Sequence, residues 1–206
     1  MKAEIIRCWE TNNPLLIEYH DREWGVPVRD DRKLFENLSL DIFQAGLNWE
    51  LVLNKRESFR KAFDNFEPKI VANYSDEKIN RLLDNAKIIR NKQKINSTVN
   101  NAYRFLEIKK EFGSFSNFIW SFVGGKTIHN KFAKLTDHPS QSKESIEMSK
   151  EMKRRGFKFV GPTICYAFMQ AVGLVNDHLL NCFRHREIRE NMRKDNVQME
   201  KDQFKK

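Results

Sequence analysis

The 206-residue sequence predicts an all-α fold. Three observations carry that reading. Apolar residues recur at the three-to-four-residue spacing of helices. No stretch alternates apolar and polar residues convincingly, as a half-buried strand does. Capping residues and glycines stand where the apolar runs start and stop.

The elements follow in order. Asp30 and Asp31 can cap a helix through Leu34, Phe35, Leu38 and Phe43 that ends at Gly46. Asn48 can cap a second, with Trp49, Val52, Leu53 and Phe59 on one side. Ser75, followed by Asp76 and Glu77, starts a short helix through Ile79, Leu82 and Leu83. Ile88, Ile95, Val99, Ala102 and Leu106 fit the helical period. Ser114 opens an aromatic helix with Phe115, Phe118, Trp120 and Phe122, which Gly124-Gly125 stops. Asp137-His138-Pro139-Ser140 reads as a polar loop. A helix then runs to Gly156 and another from Pro162 to Gly173. Residues 1–183 read as one unit, with that last helix pair near 145–173. Residues 184–206 are highly charged and poor in apolar anchors, and read as a solvated helix or a disordered tail.

A hydrophobic content of 40% is enough for a buried core. The net charge of +9 favours an anionic partner, nucleic acid first. The 16 Phe and 4 Trp exceed what a plain DNA-coating protein needs, and suggest a well-built core with an aromatic pocket. Three cysteines, Cys8, Cys165 and Cys182, argue against a disulfide framework and for a reducing compartment. The N-terminus lacks the apolar run of a signal peptide, and no segment is long and apolar enough to span a bilayer. The chain therefore reads as a cytoplasmic protein without a membrane partner.

The segment from Arg154 to Thr163 carries the first functional signal. Gly156 can take the left-handed conformation that ends a helix, and Pro162 suits the first turn of the next. Free backbone N–H groups beside Gly161 then form an anion site, with Lys153, Arg154, Arg155 and Lys158 around it. Nucleic-acid phosphate is the expected anion. The same residues also fit an ordinary helical hairpin with a solvated basic face.

Cys8 and His20 near the start, with His178 and Cys182 in a His-x3-Cys arrangement, form a two-Cys, two-His set of the kind structural zinc takes. Spacing alone favours the plainer reading of apolar cysteines and surface histidines. Asp41 lies late in a helix amid apolar residues, where a charge is disfavoured unless a cation or donor faces it. Trp9, Tyr19 and Trp49 can stack on a flat, electron-poor ring, or can simply belong to the core.

Ordered motifs then carry a resemblance. They include Tyr19-His20-Asp21 with Glu23-Trp24-Gly25-Val26-Pro27, Gln44-Ala45-Gly46-Leu47, and Lys55-Arg56-Glu57. They continue with Phe118-Ile119-Trp120-Ser121-Phe122-Val123, Arg155-Gly156-Phe157-Lys158-Phe159-Val160-Gly161 and Gly173-Leu174-Val175-Asn176-Asp177-His178. Over most of residues 7–182 the chain resembles the bacterial 3-methyladenine DNA glycosylase I family of constitutive alkylation-repair enzymes.

The resemblance implies a helix-hairpin-helix glycosylase fold and a structural Zn2+ on Cys8, His20, His178 and Cys182. It implies hydrolysis of the N-glycosidic bond of 3-methyladenine in double-stranded DNA, by a protein read here as a monomer. Trp49 would stack on the base, Trp9, Tyr19 and Trp24 would line the pocket, and Asp41 would stand at the catalytic pocket-acid position. Leu47 is the candidate wedge into the duplex, or else a helix-cap contact. Lys153, Arg155, Lys158 and Gly161 would touch DNA.

The chain departs from the family at two adjacent positions. Asp41 stands where Glu is usual, which draws the carboxylate back by about 1.5 Å, one C–C bond. Ile42 stands where a small residue is common. Both are expected to bear on which base the pocket takes, or on whether it acts on one at all. Asn176 holds the place of the catalytic Asp in the wider helix-hairpin-helix group, and no Lys occupies a nucleophile position. A glycosylase without lyase activity, using water as nucleophile, is the expected enzyme. A non-catalytic DNA-binding relative is the alternative, and an RNA-modifying or RNA-binding helical protein a weaker third.

Overall fold

The computed structural model describes residues 5–191. Helices dominate it: α1 Pro14–Arg22, α2 Asp31–Gln44, α3 Trp49–Asn54, α4 Arg56–Ala62, α5 Pro68–Val71 and α6 Asp76–Asp84. They continue with α7 Lys92–Phe112, α8 Phe115–Ser121, α9 Lys143–Arg154 and α10 Pro162–Ala171. Residues 183–191 are also helical. Among the described residues no helix is long and apolar enough to cross a membrane.

The capping chemistry accounts for most helix starts. Asp30, Asn48, Ser75, Ser114 and Ser142 each accept a backbone N–H of the first turn of α2, α3, α6, α8 and α9. α1 is capped by Asn13, with Pro14 at its first position. α7 starts only at its cap Asn91, so Ile88 lies in the turn before it. One feature runs against the expectation of no strands. Ile128–His129 (β1) pairs in parallel with Val175–Asn176 (β2). Two residues are too few to show an alternating pattern, and their pairing is set by distant parts of the chain.

The core is aromatic. Phe35, Phe43, Phe59, Phe63, Phe66, Phe105, Phe115, Phe118 and Trp120 are fully buried. Ring centroids of Phe43 and Phe59 lie 4.6 Å apart, and those of Phe105 and Phe115 4.5 Å. Ile42 is 1% exposed within this cluster, so the bulk at that position fills core rather than pocket.

Packing of α10 on α2 and α9, and of α1 and α2 on α3, brings the functional residues together. Gly173 permits the closest of these approaches. It takes φ +73°, and a Cβ there would meet the Val26 carbonyl carbon at 2.4 Å. Of the expected tail, residues 184–191 continue as helix and bury His185 and Ile188, while 192–206 lie outside the described residues.

Candidate active site and metal centre

Cys8 precedes α1, His20 sits in its last turn, His178 follows β2, and Cys182 precedes the helical segment 183–191. All four are buried, and their donor atoms lie within 4.8 Å of one another. Cys8 Sγ is 3.3 Å from His178 Nδ1, and Cys182 Sγ is 3.5 Å from both His178 Nδ1 and His20 Nε2. Zinc bonds of about 2.0–2.3 Å, set tetrahedrally, hold their donors roughly 3.3–3.8 Å apart.

The outer shell fits the same purpose. His20 Nδ1 lies 2.8 Å from Asp21 Oδ1, which leaves Nε2 for the cluster. Arg7 grips Asp21 from behind through Nε and Nη2 at 2.7–3.1 Å. The Arg7 guanidinium and His20 hold the Asp21 carboxyl below its usual range, against a partial burial that pushes it up. His178 Nε2 lies 2.9 Å from the Trp24 carbonyl, which leaves Nδ1 for the cluster. Burial pushes the His178 pKa down, toward the neutral imidazole that binds metal. The neighbouring Cys182 sulfur, with burial, pushes the Cys8 thiol up, while Cys8 and the two imidazoles push Cys182 down.

Two residues of an aromatic cavity, Trp9 and Trp24, pack directly on this cluster. Trp9 packs edge-on against His20 at 4.8 Å and against Trp24 at 4.9 Å, and Trp24 against His178 at 4.6 Å. The cavity, of about 390 Å³, is lined by Trp9, Tyr19, Trp24, Asp41, Trp49 and Gln170, with Leu16, Gln44, Asn48, Glu50 and Ala167 completing it. Tyr19 and Trp49 rings meet at 5.0 Å. Asp41 is 3% exposed, and its Oδ2 has no hydrogen-bond partner. Burial pushes its carboxyl pKa well above the ordinary range. Burial, with Asp41 nearby, also raises the Tyr19 hydroxyl. An apolar box with one orphaned carboxyl suits a flat ligand that brings a cation or a donor. Asp41, Trp9, Tyr19, Trp24 and Trp49 thus share one cavity, and Ile42 is not among the residues lining it.

Leu47 sits beyond α2, between the cavity residues Gln44 and Asn48, and is 41% exposed. Further away, the turn between α9 and α10 is closely built. Gly156 (φ +85°) follows the α9 cap, its N–H donates to Lys153 O, and that of Phe157 to Met152 O. From α7, Asn101 accepts the Lys158 N–H and donates to the Lys158 carbonyl. No side chain caps the start of α10 at Gly161. Lys153 and Lys158 are exposed and form no ion pair among the described residues. Arg155 differs: its guanidinium binds Glu111 at 2.6 and 2.8 Å and Glu151 at 2.6 Å, over the Phe112 ring. Its charge is already paired within the protein.

A profile of the methyladenine glycosylase family matches residues 9–185. The chain belongs to the methyladenine glycosylase family. It is 46% identical over 177 residues to DNA-3-methyladenine glycosylase 1 of Escherichia coli (strain K12), covering 85% of this chain and 95% of that protein. A crystal structure of a 3-methyladenine DNA glycosylase I superposes with a TM-score of 0.84 at 48% identity, covering 86% of this chain and 98% of that one. A Staphylococcus aureus 3-methyladenine DNA glycosylase I, solved for its recognition of 3-methyladenine, gives 0.82 at 37% identity, covering 84% of this chain and 92% of that one.

Three supporting residues of this methyladenine glycosylase family member escaped sequence reasoning. Asp21 has a signal in hindsight, as a carboxylate adjoining a prospective His ligand. Lys94, buried in α7, donates from Nζ to the carbonyls of Phe43 at 2.8 Å and Ala45 at 2.6 Å, closing the end of the helix that carries Asp41. Gln170 lines the cavity from the apolar helix α10. Nothing in the spacing of Lys94 or Gln170 marks either one.

Proposed function

We propose that this protein is a DNA glycosylase that hydrolyses the N-glycosidic bond of 3-methyladenine in alkylated double-stranded DNA. The carrying observation is the orphaned, buried Asp41 carboxyl inside a ring of four aromatic side chains. Methylation at N3 makes the base cationic, and a cationic base is already a good leaving group. Little acid catalysis is then needed. The site must extract the base from the stack and favour the cation over normal adenine.

The residues have separable tasks. Trp49 and Tyr19 stack on the base, and Trp9 and Trp24 close the pocket. Asp41 meets the bound cation, which restores its ionised form and supports the positive charge developing on the sugar. Water adds at C1′ as the bond to the base breaks, the bond electrons leave with the base and neutralise it, and the water's proton is released to solvent. No Lys lines the cavity among the described residues, in keeping with hydrolysis by water and no lyase step. Cys8, His20, His178 and Cys182 would hold a structural zinc; four protein ligands would leave no open position, so its contribution would be rigidity, tying the two chain ends together. That rigidity passes to the pocket through Trp9 and Trp24.

DNA lies along α9, its turn and α10, read as a helix-hairpin-helix. The uncapped start of α10 at Gly161 and the Lys153 and Lys158 ammonium groups take backbone phosphates. Arg155 orients the turn from within, and Leu47 fills the gap left by the extracted base. The catalytic unit extends past residue 183 to the buried His185 and Ile188, in a monomeric, cytoplasmic enzyme.

Chromatography of bases released from methylated duplex DNA tests this reading. Release of 3-methyladenine is expected. No released base of any kind, with DNA binding intact, would establish the non-catalytic alternative.

A further inference from the structure

Asp177 is 1% exposed and collects three donors. Asn130 Nδ2 binds its Oδ1 at 2.7 Å, while Tyr166 OH at 2.6 Å and Gln170 Nε2 at 2.8 Å bind its Oδ2. A carboxylate only accepts, so a Gln170 amide turned over would set oxygen against oxygen. The amide is therefore fixed in one orientation. The α10 backbone beneath it is fixed too, because the Gly25 N–H donates to the Gln170 carbonyl at 2.9 Å. Nε2 spends one of its two N–H groups on Asp177, which sets the amide's orientation, while Oε1 takes no hydrogen bond among the described residues, and Gln170 lines the aromatic cavity beside Asp41 and Trp49.

We propose that Gln170, with its amide locked by Asp177, is a specificity-determining residue whose Oε1 accepts a hydrogen bond from the exocyclic 6-amino group of the base. The inference rests on the glycosylase reading and sharpens its substrate class. An adenine-type base carries an amino group at position 6, and cationic methylation strengthens it as a donor. A guanine-type base carries an oxygen there, which would face the Gln170 oxygen and leave both acceptors unsatisfied. Asp177 acts through Gln170 and is a positioning residue.

DNA treated with a methylating agent carries both 3-methyladenine and 3-methylguanine, so one digest reports the ratio of the two released bases. For Gln170→Met the ratio is expected to fall about 10- to 100-fold, the worth of one hydrogen bond from a charged donor. Asp177 keeps two of its donors in that variant, so the fold persists. For Asp177→Asn the ratio also falls, with more 3-methylguanine released, because the Gln170 amide can now turn its NH2 inward. Loss of stability alone lowers both products together and leaves the ratio unchanged. An unchanged ratio in active Gln170→Met protein overturns the proposal. Failure of the glycosylase reading looks different: wild type releases neither base. Quenching of tryptophan fluorescence by the free bases then still decides the acceptor claim. Wild type should prefer 3-methyladenine and Gln170→Met should not, and equal preference in both proteins refutes it.

Discussion

Asp41 and Trp49 line the same cavity, and Asp41 Oδ2 and Trp49 Nε1 are both buried without a hydrogen-bond partner. Each such atom costs about 1–3 kcal/mol in a folded protein. An acceptor and a donor left open together in one aromatic box mark a site kept for a ligand. Asp41 is the more costly of the two, because burial drives its pKa well up.

That shift makes stability depend on pH in a definite direction. The folded-state pKa of Asp41 lies above its unfolded value of about 3.9, so the native state holds the proton more tightly. Wild-type stability therefore falls as pH rises from about 4 through the folded pKa. Asp41→Asn removes this loss. Denaturant melts should show the variant gaining on wild type as pH rises across that window, with the smallest difference at its acid end.

The proposed zinc centre would join residues 8 and 182, far apart in sequence. Chelation under reducing conditions should lower the melting temperature by several degrees and make Cys8 and Cys182 reactive toward a thiol reagent. Elemental measurement of purified protein should find about one zinc per chain. A zinc-free protein with the same melting temperature would remove the metal from this account.

Asp21 holds His20 in the orientation that the cluster needs. Asp21→Asn should weaken zinc affinity by about 10- to 100-fold, read by competition with a chromogenic chelator. The effect should exceed that of Arg7→Gln, since Arg7 acts one bond further out.

Lys94 closes the carbonyl end of α2 from within the protein. Lys94→Met leaves the Phe43 and Ala45 carbonyls without this donor and should cost about 1–3 kcal/mol per group in a chemical melt. Base release should slow as well, because Asp41 and the approach to Leu47 lie on either side of those carbonyls.

On the DNA side, Lys158→Gln should weaken binding almost uniformly across sequences and reduce the salt slope by about one. Arg155→Gln should instead lower thermal stability while changing that slope less, because Arg155 is bound by Glu111 and Glu151. Equal slope changes in the two variants would show that Arg155 reaches phosphate after all.

The helical class was legible because local chemistry sets it. Asp30, Ser75 and Ser114 cap the helices they were expected to cap, and Asn48 caps α3, but that helix breaks at Lys55 and leaves Phe59 in α4. Gly156 also ends α9 with the expected left-handed turn. The parallel pairing of Ile128 with Val175 was not legible, since two residues carry no period and their partner is remote. The gathering of Cys8, His20, His178 and Cys182 depended on resemblance, because donors at opposite ends of a chain have no local spacing. The place of Ile42 also required coordinates: adjacent helical residues point in different directions, so a change beside Asp41 enters the core and not the cavity. Gln170 and Lys94 were silent for a related reason. An amide or an ammonium on a helix takes its meaning from the groups folded against it.

Single-turnover release of 3-methyladenine from a defined duplex, compared between wild type and Asp41→Asn, tests the central claim most directly. The carboxyl in the aromatic cavity should be worth about a hundredfold or more in rate, with DNA binding little changed. Release by Asp41→Asn at the wild-type rate would contradict the role assigned to Asp41 and to the cavity built around it.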